Sequence, residues 1–322
     1  MLKPMNKKIV VLFLMVFIWA KDVQIINGYE YSPPKGLTFL TSFPKDIQEY
    51  GKLTFRKEKV NEWLVISALT GIMIVYDEPL IVEAQKIGIK LNINNKDKTR
   101  AFFNDPIFDQ PIRFPTDLGS SLYFIGDGIL HLGIASSFYT YGKFTHNNRA
   151  MQTGSQVAQA MASAGFLTQV IKHITGRVSP FKNYTSQDTL KDGAIIYHPE
   201  DKWTPFPNQI EYHEHVSTYD AFPSGHMAVC MATVTVIAEN YSEIKWVRPM
   251  GYTAMTLLGF QMMNNGVHWV SDHPLSIAMG YYLGKIAAEN GRKKISGEHK
   301  SNLSIKPMIN TNLTGITINY SF

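Results

Sequence analysis

Apolar and small residues recur at three-to-four-residue spacing over most of the sequence between Asn61 and Asn290. In the run from Met151 to Ile174, one helical face would carry Val157, Met161, Ala164, Leu167 and Ile171. Two later runs, 226–241 and 248–263, are apolar almost all round, which is typical of central helices. The sequence therefore predicts an all-α fold, a helical bundle.

The N-terminus has the pattern of a secretory signal. A basic start, MLKPMNKK, precedes twelve apolar residues, IVVLFLMVFIWA, and then a polar stretch. Twelve residues are too few to span a bilayer comfortably, but they match the apolar region of a signal peptide. We expect residues 1–20 to be a signal peptide and the chain to be exported, in a bacterium to the periplasm or outer membrane. A retained N-terminal anchor is the alternative.

The rest of the chain divides into three segments. Residues 21–60 are polar, aromatic and rich in turn residues, which predicts an irregular N-terminal arm. Residues 61–292 form the helical domain, and between Phe181 and Tyr219 they include a polar, aromatic loop long enough to cover a site. In residues 293–322, the alternation of Ile316, Ile318 and Tyr320 predicts a short strand that resembles the last strand of outer-membrane barrels. Pairing of this strand with the N-terminal arm is the alternative.

The composition limits the classes of binding partner that we expect for this chain. The net charge of +5 is spread along the chain without a Lys/Arg block, so no nucleic-acid partner is expected, only a mild preference for anions or a peripheral contact with a membrane. The single cysteine, Cys230, excludes disulfides within the chain and cysteine-rich metal sites. No later apolar run reaches 18 residues free of charge, so a polytopic membrane protein is not expected. Nothing in the sequence indicates an oligomeric state.

The stretch Pro223–His226 predicts an anion site. Ser224 and Gly225 are favoured at a helix start, where unpaired backbone N–H groups and the helix dipole attract an anion. His226 would place a proton donor beside that anion. The pattern is therefore typical of acid catalysis on a phosphate-like group.

Two further segments complete a pattern. KHITGRVSP contains Lys172 and Pro180, and VHWVSD contains His268 and Asp272. In this order, the three segments resemble the motifs of the type 2 phosphatidic acid phosphatase (PAP2) superfamily, over roughly 61–290. That superfamily also includes bacterial class A acid phosphatases and vanadium haloperoxidases. Two positions depart from its pattern, since Ser179 and Met262 stand where the motifs have arginine.

The resemblance implies roles for these residues. His268 would attack phosphorus and form a phosphohistidine, Asp272 would orient its imidazole, and His226 would protonate the leaving oxygen. A neutral imidazole is nucleophilic near pH 7, and a carboxylate one turn away can fix its tautomer. The phosphoryl oxygens would be held by Lys172, Ser224, Gly225, Arg177 and Ser179, with no metal and no cofactor. The alternative for Arg177 is a solvated or helix-capping arginine.

Phosphoryl transfer depends on positive charge beside the equatorial oxygens of the phosphoryl group, and the two motif arginines that would supply it are absent. Three functions therefore remain open. The first is a metal-independent phosphatase, an acid or lipid phosphatase that hydrolyses a lipid phosphate, another phosphomonoester or a pyrophosphate. The second is a catalytically weakened protein of the same fold that binds phosphate or lipid. The third is a vanadate-dependent haloperoxidase, which also needs the missing arginines. A replacement charge would have to come from the long loop, at Lys182, Lys191 or Lys202.

Overall fold

The computed structural model describes residues 23–104, 111–295, 303–310 and 313–320. The predicted signal peptide, residues 1–20, lies outside the described residues. The described residues form ten α-helices and small antiparallel sheets. The helices are α1 (Thr38–Thr41), α2 (Phe43–Thr54), α3 (Val60–Lys90), α4 (Leu118–Phe124), α5 (Gly128–Thr145), α6 (Asn148–Thr175), α7 (Gln209–Glu214), α8 (Gly225–Asn240), α9 (Val247–Asn264) and α10 (His273–Asn290). The all-α prediction is confirmed.

Helices α6, α8 and α10 form the centre of the bundle. Buried residues of all three helices meet in one apolar cluster that includes Val157, Ala164, Val236 and Leu283. Small residues allow α8 and α10 to lie close together: a Cβ placed on Gly280 would stand 2.2 Å from the carbonyl oxygen of Ala228. This close packing fixes the relative positions of the helix ends that carry the motifs.

The N-terminal arm is more regular than the sequence predicts. A hairpin of β1 (Gln24–Ile26) and β2 (Tyr29–Tyr31) pairs with β7 (Lys293–Lys294). Helix α2 follows, and its buried Asp46 accepts hydrogen bonds from Gln159 and Ser163 of α6. The regularity comes from these long-range contacts, which local sequence patterns do not reveal.

Further strands lie outside the bundle core. A hairpin of β3 (Thr99–Asn104) and β4 (Pro111–Pro115) follows α3, and the loop 181–219 contains the hairpin of β5 (Tyr184–Thr189) and β6 (Ile195–Pro199) as well as α7. The predicted C-terminal strand is present as β9 (Leu313–Tyr320). It pairs with β8 (Leu303–Asn310), not with the N-terminal arm, because an adjacent strand supplies a local partner.

One described helix, α3 with the 3₁₀ turn before it (Lys57–Lys90), is long and apolar enough to cross a membrane. Helices α4 and α5 would qualify together as a second, but they bend by 61° at the break between them. The expectation that the chain is not a polytopic membrane protein stays a prediction, since one such helix does not test it. Helix α3 qualifies because its isolated charges do not outweigh its apolar residues.

Candidate active site

The C-terminal end of α6 positions the first motif. Gly176 ends the helix in the left-handed conformation, with φ of 55°, and its N–H donates to the carbonyl of Lys172. A Cβ at Gly176 would stand 1.9 Å from the carbonyl oxygen of Thr204, so the helix cap packs tightly against the loop that contains Thr204. Lys172 lies in the last turn and is buried. Its Nζ lies 4.0 Å from the place where a Cβ on Gly225 would stand.

The N-terminus of α8 carries the second motif, as predicted. The Ser224 hydroxyl oxygen caps the helix by accepting from the Met227 N–H at 3.3 Å. The ring of His226, in the first turn, lies 4.8 Å from the ring of Tyr123 and 5.9 Å from the ring of His268. Burial, with the nearby His268 and Lys172, lowers the pKa of His226 to about 3.

His268 and Asp272 lie between the end of α9 and the start of α10. The Nδ1 atom of His268 lies 3.2 Å from Asp272 Oδ2, which also accepts from the Trp269 N–H at 2.9 Å. Burial and, to a lesser extent, the charge of Lys172 lower the pKa of His268 to about 3. Asp272 is fully buried, and burial raises its pKa to about 6 against the opposing effect of Arg177. A carboxylate at Nδ1 places the imidazole proton there, which leaves Nε2 as the nucleophilic atom.

Arg177 lies behind the site, and its predicted role as a phosphate ligand is corrected by its contacts. The guanidinium is fully buried, and all five of its N–H donors are used within the protein. They are donated to Asp201 (2.6 and 3.0 Å), Asp77 (2.6 Å), Asp272 (2.6 Å) and the Ser271 hydroxyl (2.6 Å). Burial alone would lower the pKa of Arg177, but the three carboxylates outweigh it and raise the pKa.

The two positions that lack the motif arginines are both buried. Ser179 donates its main-chain N–H to Ser217 at 3.0 Å and precedes a 3₁₀ turn, Pro180–Lys182. Met262 packs in an apolar cluster with Met227 and Leu258, and its sulfur lies 3.7 Å from the Ser224 hydroxyl. The loop lysines at positions 182, 191 and 202 are exposed. The site therefore carries an apolar wall where the third motif would supply a cation.

Asp220 is the site residue that the sequence analysis missed. Its Oδ2 lies 3.4 Å from Lys172 Nζ, so the buried lysine already has an anionic partner. The only sequence signal was its position, three residues before Pro223. Asp77 and Asp201, the other partners of Arg177, were missed as well. Asp77 did carry a signal, because it interrupts an apolar helical run.

Comparison with known proteins finds one related family. Residues 154–295, which contain all three motifs, match the model of the PAP2 superfamily. The resemblance seen in the motifs is thereby confirmed, and this segment of the chain is similar to the PAP2 superfamily. The match supports a phosphatase-like function at the level of the family. No curated protein and no solved structure matches the chain.

Proposed function

We propose that the chain is a metal-independent phosphatase that hydrolyses a phosphate ester or pyrophosphate, a lipid phosphate among them, through a phosphohistidine at His268. The observation that carries the proposal is the pair of neighbouring imidazoles of His226 and His268, whose rings are arranged edge to face at an interplanar angle of 71°. Their ring centroids are 5.9 Å apart, and one ring is held at Nδ1 by Asp272. A phosphoryl group between them would have a nucleophile on one side and a proton donor on the other.

The reaction would have two steps. Nε2 of His268 forms a bond to phosphorus while the bond to the leaving oxygen breaks, and His226 donates its proton to that oxygen. Water then attacks the phosphohistidine, gives a proton to His226, and releases phosphate and neutral His268. Lys172 and the N–H groups at the start of α8 would hold the phosphoryl oxygens.

The lowered pKa values set the pH dependence. His268 stays neutral above about pH 3, so it is ready to attack over the whole neutral range. His226 must carry a proton to act as acid, and its pKa of about 3 disfavours this until a phosphate anion binds. We therefore expect turnover to rise as the pH falls from 8 towards 6 and to decline below about pH 6, where Asp272 takes up a proton and no longer holds His268.

The test is phosphate release by the purified protein in EDTA, across lipid and soluble phosphomonoesters and pyrophosphates. Release should disappear in His268→Ala and persist in His213→Ala, which alters an exposed histidine of α7. A ³²P pulse should label the protein with an acid-labile, alkali-stable bond that His268→Ala lacks. Turnover that persists in His268→Ala would overturn the proposal.

A second function is favoured by the charges around Lys172. The Asp220 carboxylate pairs with this lysine, and Met262 brings no charge, so an incoming phosphate must compete with a resident anion. In this second function, the chain would bind phosphate without hydrolysing a phosphate ester. Asp220→Asn should tighten the binding of inorganic phosphate measured by calorimetry. Hydrolysis of any of the tested substrates would exclude a protein that only binds. The haloperoxidase alternative is disfavoured, because the apolar wall at Met262 does not suit a vanadate anion.

We also propose that the protein acts in the cell envelope after export, as the N-terminal pattern indicates. Cell fractionation, with the N-terminal residue of the mature chain determined by mass spectrometry, would test this. A chain found in the cytoplasm with residues 1–20 intact would contradict it.

A further inference from the structure

The first half of α3 has an unusual environment for a helix outside the core. Within residues 60–76 no side chain is buried, and the half-buried positions form one narrow stripe, Trp63, Ile66, Thr70 and Met73. The stripe follows the three-to-four spacing of a single helix face. About three quarters of the circumference of this half-helix is therefore not covered by the described protein.

The uncovered surface is apolar. From Trp63 to Tyr76 the sequence WLVISALTGIMIVY contains no charged residue. Its exposed large side chains include Leu64, Val65, Leu69, Ile72 and Val75, each at least 42% exposed. A helix that is apolar all round is stable either inside a protein core or inside a membrane, and this one is not in a core.

The uncovered apolar surface exceeds the isolated exposed leucines that are normal on soluble proteins, because these five large side chains are exposed within the twelve residues from Leu64 to Val75.

The charges at the start of α3 indicate which apolar environment fits. The helix is preceded by Arg56, Lys57, Glu58 and Lys59, so basic residues outnumber acidic ones at this end. An excess of basic residues at the end of an apolar helix matches the headgroup region of an anionic membrane. A second protein copy or the apolar segment near the N-terminus would cover one side of α3, whereas lipid covers all of its exposed sides.

We propose that the first half of α3 is embedded in the hydrocarbon of a lipid bilayer. The charge-free stretch extends about 21 Å along the helix axis, and the hydrocarbon core of a bilayer is about 30 Å thick. The stretch therefore fits within the core, with the basic turn at one interface. This contact is an insertion, deeper than the peripheral one that the sequence suggested, and it does not depend on the proposed phosphatase function.

The test uses the full chain with one added cysteine. Cys230 is buried and its thiol pKa is raised to about 12 by burial, so it stays unlabelled under mild conditions. Ile72→Cys places a fluorophore on the apolar surface, and Ile210→Cys places it on α7, at an exposed apolar residue of a helix that lies outside this surface. Both variants are reconstituted into vesicles of phosphatidylcholine and phosphatidylglycerol that contain acyl-chain spin labels.

We expect the fluorophore at position 72 to show a blue-shifted emission and to be strongly quenched by the spin labels in the acyl chains. The fluorophore at position 210 should show neither change. A label at position 72 that remains quenched by aqueous iodide would overturn the proposal, since an anchor at the N-terminus alone would leave α3 in water. Efficient disulfide formation between two copies at position 72, with no quenching by the lipid, would also overturn it. That result would assign the surface to a second copy.

Discussion

At the scale of single residues, Arg177 is the most informative side chain. It joins three carboxylates, and one of them, Asp272, holds the candidate nucleophile. Sequence reasoning placed Arg177 near the site but not in this role, because its partners come from α3 and from the long loop. The contact between Arg177 and Asp77 joins residues 100 positions apart, so it leaves no local pattern in the sequence. His268 and Asp272, in contrast, are four residues apart and could be paired from the sequence alone.

Arg177→Gln should weaken both stability and turnover. It leaves buried carboxylates without a cation, and breaking a buried ion pair costs about 3–5 kcal/mol in the free energy of unfolding. The pKa of Asp272 should rise above about 6, so turnover should fall roughly ten- to a hundredfold at pH 7 and recover in part towards pH 9. Urea unfolding and the pH profile of kcat measure the two effects.

The matched control is Arg248→Gln, which removes a partly exposed arginine paired with Glu239 at 2.9 Å. It should cost less than about 1 kcal/mol and leave the pH profile unchanged. If Arg177→Gln lowered turnover equally at every pH, Arg177 would have a structural role only, and its part in positioning Asp272 would be rejected.

The buried imidazole of His268 should make stability depend on pH. Its pKa is about 3 in the folded chain against about 6.5 when unfolded, so between these values only the unfolded chain binds the proton. Stability contributed by the neutral ring is present above pH 6.5 and is lost as the pH falls towards 3. Near pH 5, the slope of the free energy of unfolding against pH should be smaller in His268→Asn than in the unsubstituted protein, by about 1.4 kcal/mol per pH unit. Equal slopes in the two proteins would contradict this.

At the scale of elements, the helices with strong patterns were predictable and the short elements were not. The predicted runs 151–174, 226–241 and 248–263 follow the observed helices α6, α8 and α9 closely, because each has a continuous apolar pattern. Between α4 and α5 the chain breaks near Gly126, where a Cβ would stand 2.7 Å from the Cβ of His226. Packing against the site therefore decides that break.

The C-terminal cap of α6 is the element boundary on which the site most depends. Gly176→Ala would put a Cβ at positive φ and against the Thr204 carbonyl, so it should destabilise the protein by more than about 1 kcal/mol. Turnover should also fall, since Lys172 and Arg177 flank the cap. Thermal unfolding and kcat measure these changes.

Gly165→Ala, in the middle of the same helix, is the control. Nothing lies within 4 Å of its added Cβ, so it should stabilise the protein by about 0.5–1 kcal/mol. A Gly176→Ala variant as stable as Gly165→Ala would show that the cap can relax and that the boundary does not position Lys172.

At the scale of the whole molecule, the family match and the folded unit differ in extent. The match begins at residue 154, yet residues before it complete the site and the core. Asp77 of α3 pairs with Arg177, Ile81 of α3 packs with Trp269, and Asp46 of α2 binds α6. The sequence predicted a helical domain from residue 61, which includes α3 but leaves α2 in an irregular arm.

These contacts predict that the family segment does not fold alone. A fragment of residues 148–295 would expose the apolar faces that α3 and α5 cover and would leave Arg177 without Asp77. We expect no cooperative urea transition by circular dichroism, whereas the chain from residue 23 to 295 should unfold cooperatively in lipid or detergent. A cooperative transition in the short fragment would mean that α8 and α10 around α6 suffice for folding. The earlier helices would then serve the site and the membrane contact, not the core.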